Sequence, residues 1–188
     1  MRYFFDIALG TEYGGAKPVL HKWAGDIRIL AHGSPTPADV ETLEQVIAEL
    51  NGLIPGLKLE LVESRANLNV YFVPRSEFPG IEPNYVPGNL GFFWFWWNGQ
   101  GAITRARILI DSEGVTQQQR RHILREELTQ SLGLARDSEE YPDSIFYQSQ
   151  NLTDQYTSLD EAVIRLLYNP RLRPGMTRAE IAAALSED

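Results

Sequence analysis

A run of six aromatic residues at positions 92–97, followed directly by Asn98-Gly99, constrains the fold of this 188-residue chain more than any other feature. An Asn-Gly pair between two apolar runs predicts a tight β-hairpin, and residues 103–111 supply its second strand. Successive side chains of a strand point to opposite faces. One face carries Phe92, Trp94 and Trp96, and the other carries Phe93, Phe95 and Trp97. One face must enter the core, and the other is exposed if the strand lies at the edge of a sheet.

The remaining secondary structure is predicted from hydrophobic periodicity and turn residues. We predict strands at residues 22–32, 57–63 and 68–73, and helices at residues 38–53, 116–132, 158–168 and 177–185. Residues 1–20 are predicted to be irregular, and residues 74–87, with four prolines, a long loop. This order predicts a single α+β domain in which a mixed, twisted sheet packs on helices. Residues 22–168 form its core, and residues 169–188 form a C-terminal tail with a short helix.

Composition excludes several classes of protein. The chain has 17 basic and 25 acidic residues, and its net charge of −8 disfavours contact with nucleic acid phosphates. It has no cysteine, which excludes disulfide scaffolds, thiol nucleophiles and cysteine-ligated zinc. The longest strongly apolar run, residues 90–97, is shorter than the roughly 20 residues that a membrane helix needs. We therefore expect no nucleic-acid partner and no membrane span in this chain.

The segment at residues 122–137, HILREELTQSLGLARD, carries the candidate chemistry. It aligns with the zinc-protease pattern H-E-x-x-H-x-x-G-x-x-H-D when Glu127 takes the position of the catalytic glutamate. The three histidine positions then hold Glu126, Gln130 and Arg136, the glycine position holds Gly133, and Asp137 follows. Residues four apart share one helix face, and a glycine that ends the helix lets the chain return towards the same point.

These residues resemble the metzincin branch of the zincin metalloproteases. Residues 143–147, DSIFY, are similar to the Ser-Ile-Met-x-Tyr turn beneath the metzincin zinc, with Phe146 in the place of methionine. REELTQSLG at residues 125–133 is similar to a bacterial family known as domain of unknown function 2927, several of whose members are described as putative lipoproteins. The resemblance covers residues 22–168. It implies a zincin-like fold with an aromatic edge hairpin, a long active-site helix and C-terminal helices, in an exported or cell-envelope protein whose leader is absent from this sequence.

The zinc site that the resemblance implies is broken, because no histidine stands at any of its three ligand positions. Arg136 has no lone pair to offer a metal. We expect its charge to replace that of the metal by pairing with Glu126 or Glu127, and we therefore predict no cofactor, with zinc as the disfavoured alternative.

A second register also has to be considered for a metal. His122 and Glu126 are four residues apart and bind a metal together if a third ligand comes from elsewhere, such as His21, His32 or Asp137. The simpler interpretation is that His122 pairs with Glu126 on a solvated helix face.

Three functions remain open. The favoured one is a non-catalytic, pseudo-metalloprotease domain that binds a peptide or a glycan in the cell envelope, in a cleft between the aromatic strand and the helix of Glu126. The expected ligand contacts are Trp94, Phe95, Trp96, Trp97 and Tyr147, unless the loop at residues 74–87 or a partner chain covers the aromatic rings. The first alternative is an active hydrolase with Glu127 as general base, beside a metal or with Asp137 as its acid/base partner. The second is a structural module without a ligand.

Overall fold

The computed structural model describes residues 1–10, 18–149 and 151–186. The strands are β1 (Lys22–Trp23), β2 (Ile27–Gly33), β3 (Leu59–Leu61), β4 (Leu68–Val73), β5 (Gly91–Trp97) and β6 (Ala102–Asp111). The helices are α1 (Arg2–Ala8), α2 (Pro37–Leu53), α3 (Phe78–Ile81), α4 (Gln117–Gln130), α5 (Ser158–Leu167) and α6 (Arg178–Ser186), and a 3₁₀ turn at Arg75–Glu77 leads into α3. This arrangement confirms the predicted α+β class.

The sheet is mixed, as predicted. Strands β3, β2, β4 and β6 lie side by side in parallel, and β1 pairs with the first residues of β6. Strand β5 runs antiparallel to β6, with Phe92 opposite Leu109 and Trp94 opposite Arg107. The predicted hairpin at Asn98-Gly99 is confirmed. Within the described residues β5 pairs only with β6, so it is an edge strand.

Three of the helices, α2, α4 and α5, begin after threonine residues whose side chains cap them. Each capping threonine accepts a hydrogen bond from the backbone N–H three residues later, and the side chain of that later residue accepts one from the threonine N–H. The pairs are Thr36 with Asp39, Thr116 with Gln119, and Thr157 with Asp160. The predicted helices therefore begin within one residue of the observed starts. No helix among the described residues is long and apolar enough to cross a membrane.

Two apolar clusters lie on opposite faces of the sheet. The larger one fills the space between the sheet and the helices, and it includes Ile29, Val70 and Ile108 of the central strands. The smaller one contains Phe92 and Leu109, together with residues of the 74–87 segment, which folds over that part of the sheet. We call the helix-covered side the inner face and the other side the outer face.

The N-terminal segment differs from the prediction. The sequence predicts an irregular stretch over residues 1–20, but Arg2–Ala8 form α1, whose side chains Tyr3, Phe4 and Ile7 are buried in the larger cluster. A seven-residue helix is too short to be stable alone or to show a clear period. Packing of its aromatic side chains supplies the stabilisation, and this cannot be read from local pattern. Residues 11–17 of the predicted irregular stretch lie outside the described part of the chain.

Candidate functional site

A cleft of about 600 Å³ lies between the edge of β5 and α4. Its walls come from residues 88–93, from one face of α4, and from residues 147–149 and 151–152. Six of the residues singled out in the sequence line it together, namely His122, Glu126, Glu127, Gln130, Asp137 and Tyr147. The remaining polar lining is mostly amide, from Asn89, Gln119, Gln148 and Asn151. The cleft therefore presents carboxylate and amide groups beside the edge of β5.

Glu127 lies where α4 comes closest to β5. Its residue is only 8% exposed although it lines the cleft. A Cβ atom added at Gly91 would lie 2.6 Å from Oε1 of Glu127 and 2.2 Å from Cγ2 of Ile123. The absence of a side chain at Gly91 therefore allows the helix to approach the strand and sets the position of the Glu127 carboxylate.

His122 is held from two sides. Its Nδ1 donates to the carbonyl oxygen of Thr153 at 2.8 Å, and its Nε2 lies 3.4 Å from Oε2 of Glu126. Burial lowers the pKa of His122, but Glu126 and the Thr153 carbonyl more than offset burial, so the pKa is raised above its ordinary value. The predicted pairing with Glu126 is confirmed. The predicted solvated face is wrong, because His122 is buried under the segment that contains Thr153.

The chain turns back towards the cleft at Gly133. This residue has a φ of +119°, and a Cβ atom there would lie 2.0 Å from the carbonyl oxygen of His21, so both the turn and the packing require glycine. The turn brings Asp137 to the cleft, where its Oδ1 accepts a hydrogen bond from Nε2 of Gln130. The predicted return of the chain to the helix face is thus observed at Asp137.

Arg136 does not follow the prediction. Its side chain is exposed and does not line the cleft. Its backbone N–H donates to the carbonyl oxygen of Ile7, and its Cδ lies against Gly10 beyond the end of α1. The prediction that Arg136 replaces the metal by pairing with Glu126 or Glu127 is therefore wrong. The arginine turns to the N-terminal segment and to solvent, where its guanidinium stays hydrated.

The turn at residues 143–147 lies beneath one wall of the cleft. The Tyr3 hydroxyl donates to Oγ of Ser144 at 2.8 Å, and Ser144 donates to Oδ1 of Asp160 at 2.6 Å. Burial is the main cause that raises the pKa of Tyr3 to about 12, so its hydroxyl stays protonated. Phe146, which takes the place of the methionine in this turn pattern, is fully buried. This network ties α1 and α5 to the turn, and it places Tyr147 at the cleft.

Of the predicted aromatic contacts, Tyr147 lines the cleft, and the four on β5 lie elsewhere. Trp94 packs with the 74–87 segment, Trp96 lies under the guanidinium of Arg105, and Phe95 is buried. Trp97 is 46% exposed, and its ring packs against His21 outside the cleft, with the ring planes tilted by 40°. The alternative of a covering loop is thus correct for Trp94.

Besides Tyr147, the aromatic residues that line the cleft are Phe92 and Phe93, which the site prediction omits. Gln119 was also missed, although it lies one turn before His122 and Ile123 on the same helix face, which its spacing indicates. The amides at positions 148 and 151 follow no spacing rule.

The edge of β5 offers backbone hydrogen-bonding groups to the cleft. The N–H of Asp111 donates to the carbonyl oxygen of Leu90, so this pair belongs to the hydrogen-bonded set of the antiparallel ladder. Hydrogen-bonded and non-hydrogen-bonded pairs alternate along such a ladder. Gly91, Phe93 and Phe95 therefore point their N–H and C=O groups away from β6, on the side of the strand that no other strand pairs with among the described residues. Gly91 and Phe95 are buried there, and Phe93 is half-buried.

The residues at the zincin ligand positions do not fit a zinc ion. Glu126 is an acceptable ligand, but Gln130 turns its amide nitrogen to Asp137, and Arg136 lies outside the cleft. Among the described residues, no group of three or more His, Cys, Asp or Glu side chains is arranged to hold a metal. The candidate third ligands His21 and His32 lie away from the cleft, against Trp97 and Tyr71.

The chain belongs to the family described as "Protein of unknown function (DUF2927)", whose model matches residues 1–187. Its fold is zincin-like, and it is similar to the crystal structure of myroilysin, a metalloprotease, with a TM-score of 0.51 and 12% sequence identity over 78% of this chain and 85% of that chain. A second structure of myroilysin has a TM-score of 0.48 and 11% identity, over 79% and 82% of the two chains. No curated protein matches this chain.

Proposed function

We propose that this member of the DUF2927 family binds an extended peptide segment along β5 and holds it without hydrolysing it. The observation that carries the proposal is the edge of β5 beside the cleft, which no strand pairs with among the described residues. Gly91 and Phe93 both line the cleft and direct backbone groups away from β6, and half-buried Phe93 is the more accessible of the two. A peptide that adds a strand to such an edge gains main-chain hydrogen bonds, and side-chain pockets then supply specificity.

The charge of the cleft favours a peptide with basic side chains. Its lining includes the carboxylates of Glu126, Glu127 and Asp137, and no Lys or Arg is among the described residues that line it. His122 is the one side chain there that carries positive charge when protonated, and Glu126 faces it. An arginine or lysine side chain of the peptide would therefore meet charge-assisted acceptors.

We propose the absence of catalysis because of the residues that stand at the three zincin ligand positions. A zincin needs three ligands around one point and a glutamate beside them. Here the first position holds a carboxylate engaged with His122, the second an amide bonded to Asp137, and the third an exposed guanidinium. We assign this binding role to the cell envelope, on the resemblance to a family with putative lipoproteins among its members.

Selection from a displayed library of linear peptides, followed by titration of the best peptide, tests the proposal. The Phe93→Pro variant removes an N–H that points away from β6, and proline is tolerated at such edge positions. We expect this variant to bind about tenfold more weakly, while Phe93→Val, which keeps the N–H, stays within about threefold. Circular dichroism confirms that both variants fold. Equal affinities of the two variants would contradict strand addition, and binding of neutral glycans instead would favour the glycan form of the function.

A carboxylate-based hydrolase is the second candidate, because Glu127 and Asp137 both reach the cleft. Its catalysis would use one carboxyl group as acid and the other as base. The Glu127→Gln variant separates the two candidates. Loss of hydrolysis of the selected peptide with unchanged thermal stability would support the hydrolase. If wild type and the Glu127→Gln variant both bind the selected peptide, and mass spectrometry detects no cleavage products, the result supports a binding role without hydrolysis.

A further inference from the structure

The outer face of the sheet is covered only in part. The 74–87 segment packs over the end of the face that carries Phe92 and Leu109. The other end is crossed by a row of residues that the strand register defines. Trp96 of β5 is opposite Arg105 of β6, and Asn67 accepts a backbone hydrogen bond from Ala106 and donates one to the carbonyl oxygen of Arg28. This row therefore crosses the sheet from β5 to β2.

The side chains of Arg105 and Arg28 share the outer face. Ile29 and Ala106, the neighbours of Arg28 and Arg105 along their strands, are buried on the inner face. Because side chains alternate along a strand, Arg28 and Arg105 point to the opposite side. Two strand spacings separate them, which is about 10 Å. We call Trp96, Arg105 and Arg28 the outer strip.

The guanidinium of Arg105 is oriented but has no acidic partner among the described residues. Its Cζ lies 3.9 Å from the centroid of the Trp96 ring, and the Arg105 residue is exposed. A guanidinium that stacks on a ring keeps its N–H groups in plane and free to donate. The stack thus holds a fork of donors in a fixed orientation on an open surface.

The neighbouring charges on this face are already engaged. Arg107 donates to Oε2 of Glu82 at 2.8 Å, and Lys58 pairs with Glu60 at 2.6 Å beside Arg28. The Nε of Arg28 donates to the carbonyl oxygen of Arg65, which leaves the two terminal nitrogens of its guanidinium to contact a ligand. The unneutralised charge of the outer strip is therefore positive, in a chain whose net charge is −8.

We propose that the outer strip binds an acidic polysaccharide that carries carboxylate groups. Arginine binds carboxylates in a bidentate manner, and the exposed part of the Trp96 ring supplies an apolar surface for a sugar ring. The strip is open, and its two arginines stand on strands about 10 Å apart, which suits an extended polymer with repeated charges better than a small anion. The outer strip and the cleft lie on opposite faces of the sheet.

Titration of the full chain with polygalacturonate, at low and high salt, tests this site. Fully methyl-esterified polygalacturonate, which lacks the charge, is the control ligand. We expect salt-sensitive binding to the acidic polymer only. Arg105→Gln should weaken it by about fivefold or more and Arg28→Gln by about threefold, whereas Arg121→Gln, which removes an exposed arginine of α4, should change it less than about twofold.

Three results would overturn the proposal. One is the absence of binding to polygalacturonate, and another is equal binding of the Arg105→Gln and Arg121→Gln variants. The third is Arg105-dependent binding of single-stranded DNA or of vesicles with anionic lipid, without binding of the polysaccharide. The exposed position of Arg105 makes the variant compatible with folding, and thermal melting of each variant verifies this.

Discussion

Gly91 and Glu127 are in contact across the junction of β5 and α4, so closely that a methyl group at Gly91 would lie 2.6 Å from Oε1 of Glu127. The contact joins the edge strand to the helix that supplies most of the polar cleft residues. The width of the cleft and the position of the Glu127 carboxylate therefore depend on one missing side chain.

The Gly91→Ala variant should destabilise the protein. The added methyl group also meets Cγ2 of Ile123 at 2.2 Å, so the helix or the strand must move, at a cost of about 1–3 kcal/mol. Gly52→Ala is the matched control, because a Cβ there meets nothing within 4 Å. In helix α2 that change should stabilise by up to about 1 kcal/mol. Urea denaturation measures both values, and a neutral Gly91→Ala variant would refute the close contact.

The pair of His122 and Glu126 should stabilise the protein in a pH-dependent manner. Burial lowers the pKa of His122, but Glu126 and Thr153 raise it further, so the folded pKa lies above the unfolded value. The stabilisation is therefore fully present below the unfolded pKa of about 6.5 and is lost as pH rises through the folded pKa.

The Glu126→Gln variant checks this dependence. The difference in melting temperature between wild type and variant should be larger at about pH 6 than at about pH 9. The Glu161→Gln variant, on the exposed face of α5, provides a control without a histidine partner. A difference that grows with pH would contradict the assignment.

Because of Lys22, the free energy of unfolding should increase as pH rises above about 8. Its Nζ donates to the carbonyl oxygens of Leu167 and Leu172, and burial lowers its pKa to about 8. Between about pH 8 and the ordinary lysine pKa of about 10.4, the unfolded chain binds a proton that the folded chain has released, so the free energy of unfolding rises with pH.

The Lys22→Met variant removes this dependence. Comparison of the two proteins cancels the contribution of the buried tyrosines, which both contain. Wild type should gain stability relative to the variant between about pH 8 and pH 10. The variant also leaves two carbonyl groups without their donor, which costs about 1–3 kcal/mol at neutral pH. Parallel pH profiles for the two proteins would refute the lowered pKa.

The parts of the fold that sequence predicts well are those with strong local signals. Strand β4 matches its predicted bounds because apolar residues alternate along it, and the helices that carry threonine caps begin where expected. Helix α1 was missed because it has no side-chain cap hydrogen bond and is short, so that tertiary packing alone selects it.

The part of the site that sequence predicts is the part that local spacing determines. Spacing along α4 places Glu126 and Gln130 on one face, and Gly133 predicts the turn, so the helical part of the cleft follows from local rules. Arg136 and Asp137 are adjacent, and the motif alone does not decide which of the two side chains points into the cleft. The arginine stays hydrated while the carboxylate meets the amide of Gln130. Trp94 lies outside the cleft because the 74–87 segment covers it, and this long-range contact cannot be read from local pattern.

The contact between Glu49 and Arg125 should be worth more than a surface ion pair. Arg125 is 1% exposed, its side chain pairs with Glu49, and its Cζ lies 4.6 Å from the centroid of the Tyr156 ring. Glu49→Ala leaves a buried charge without its acid, at a cost of about 3–5 kcal/mol. Glu161→Ala, which breaks the exposed pair with Arg165, should cost less than about 1 kcal/mol. If urea denaturation shows equal losses of unfolding free energy for Glu49→Ala and Glu161→Ala, the burial of Arg125 is contradicted.

Histidine substitutions in the cleft test the orientation of Arg136 and Asp137 directly. The wild-type protein should retain no stoichiometric zinc after incubation with the metal and desalting, because its zincin ligand positions do not converge. The Glu126→His, Gln130→His double variant places two imidazoles on one helix face, which supplies two of the ligands that a tetrahedral zinc ion needs.

A third histidine should tighten zinc binding only at the position whose side chain lines the cleft. Asp137 lines the cleft beside Gln130, whereas Arg136 is exposed against Gly10. Adding Asp137→His to the double variant should therefore tighten zinc binding by about tenfold or more, as a third ligand normally does. Adding Arg136→His should change the affinity by less than about threefold. Competition with a chelating dye measures both, and thermal melting without metal verifies folding. Tighter binding by the Arg136→His variant would mean that residue 136, and not 137, faces the cleft in solution.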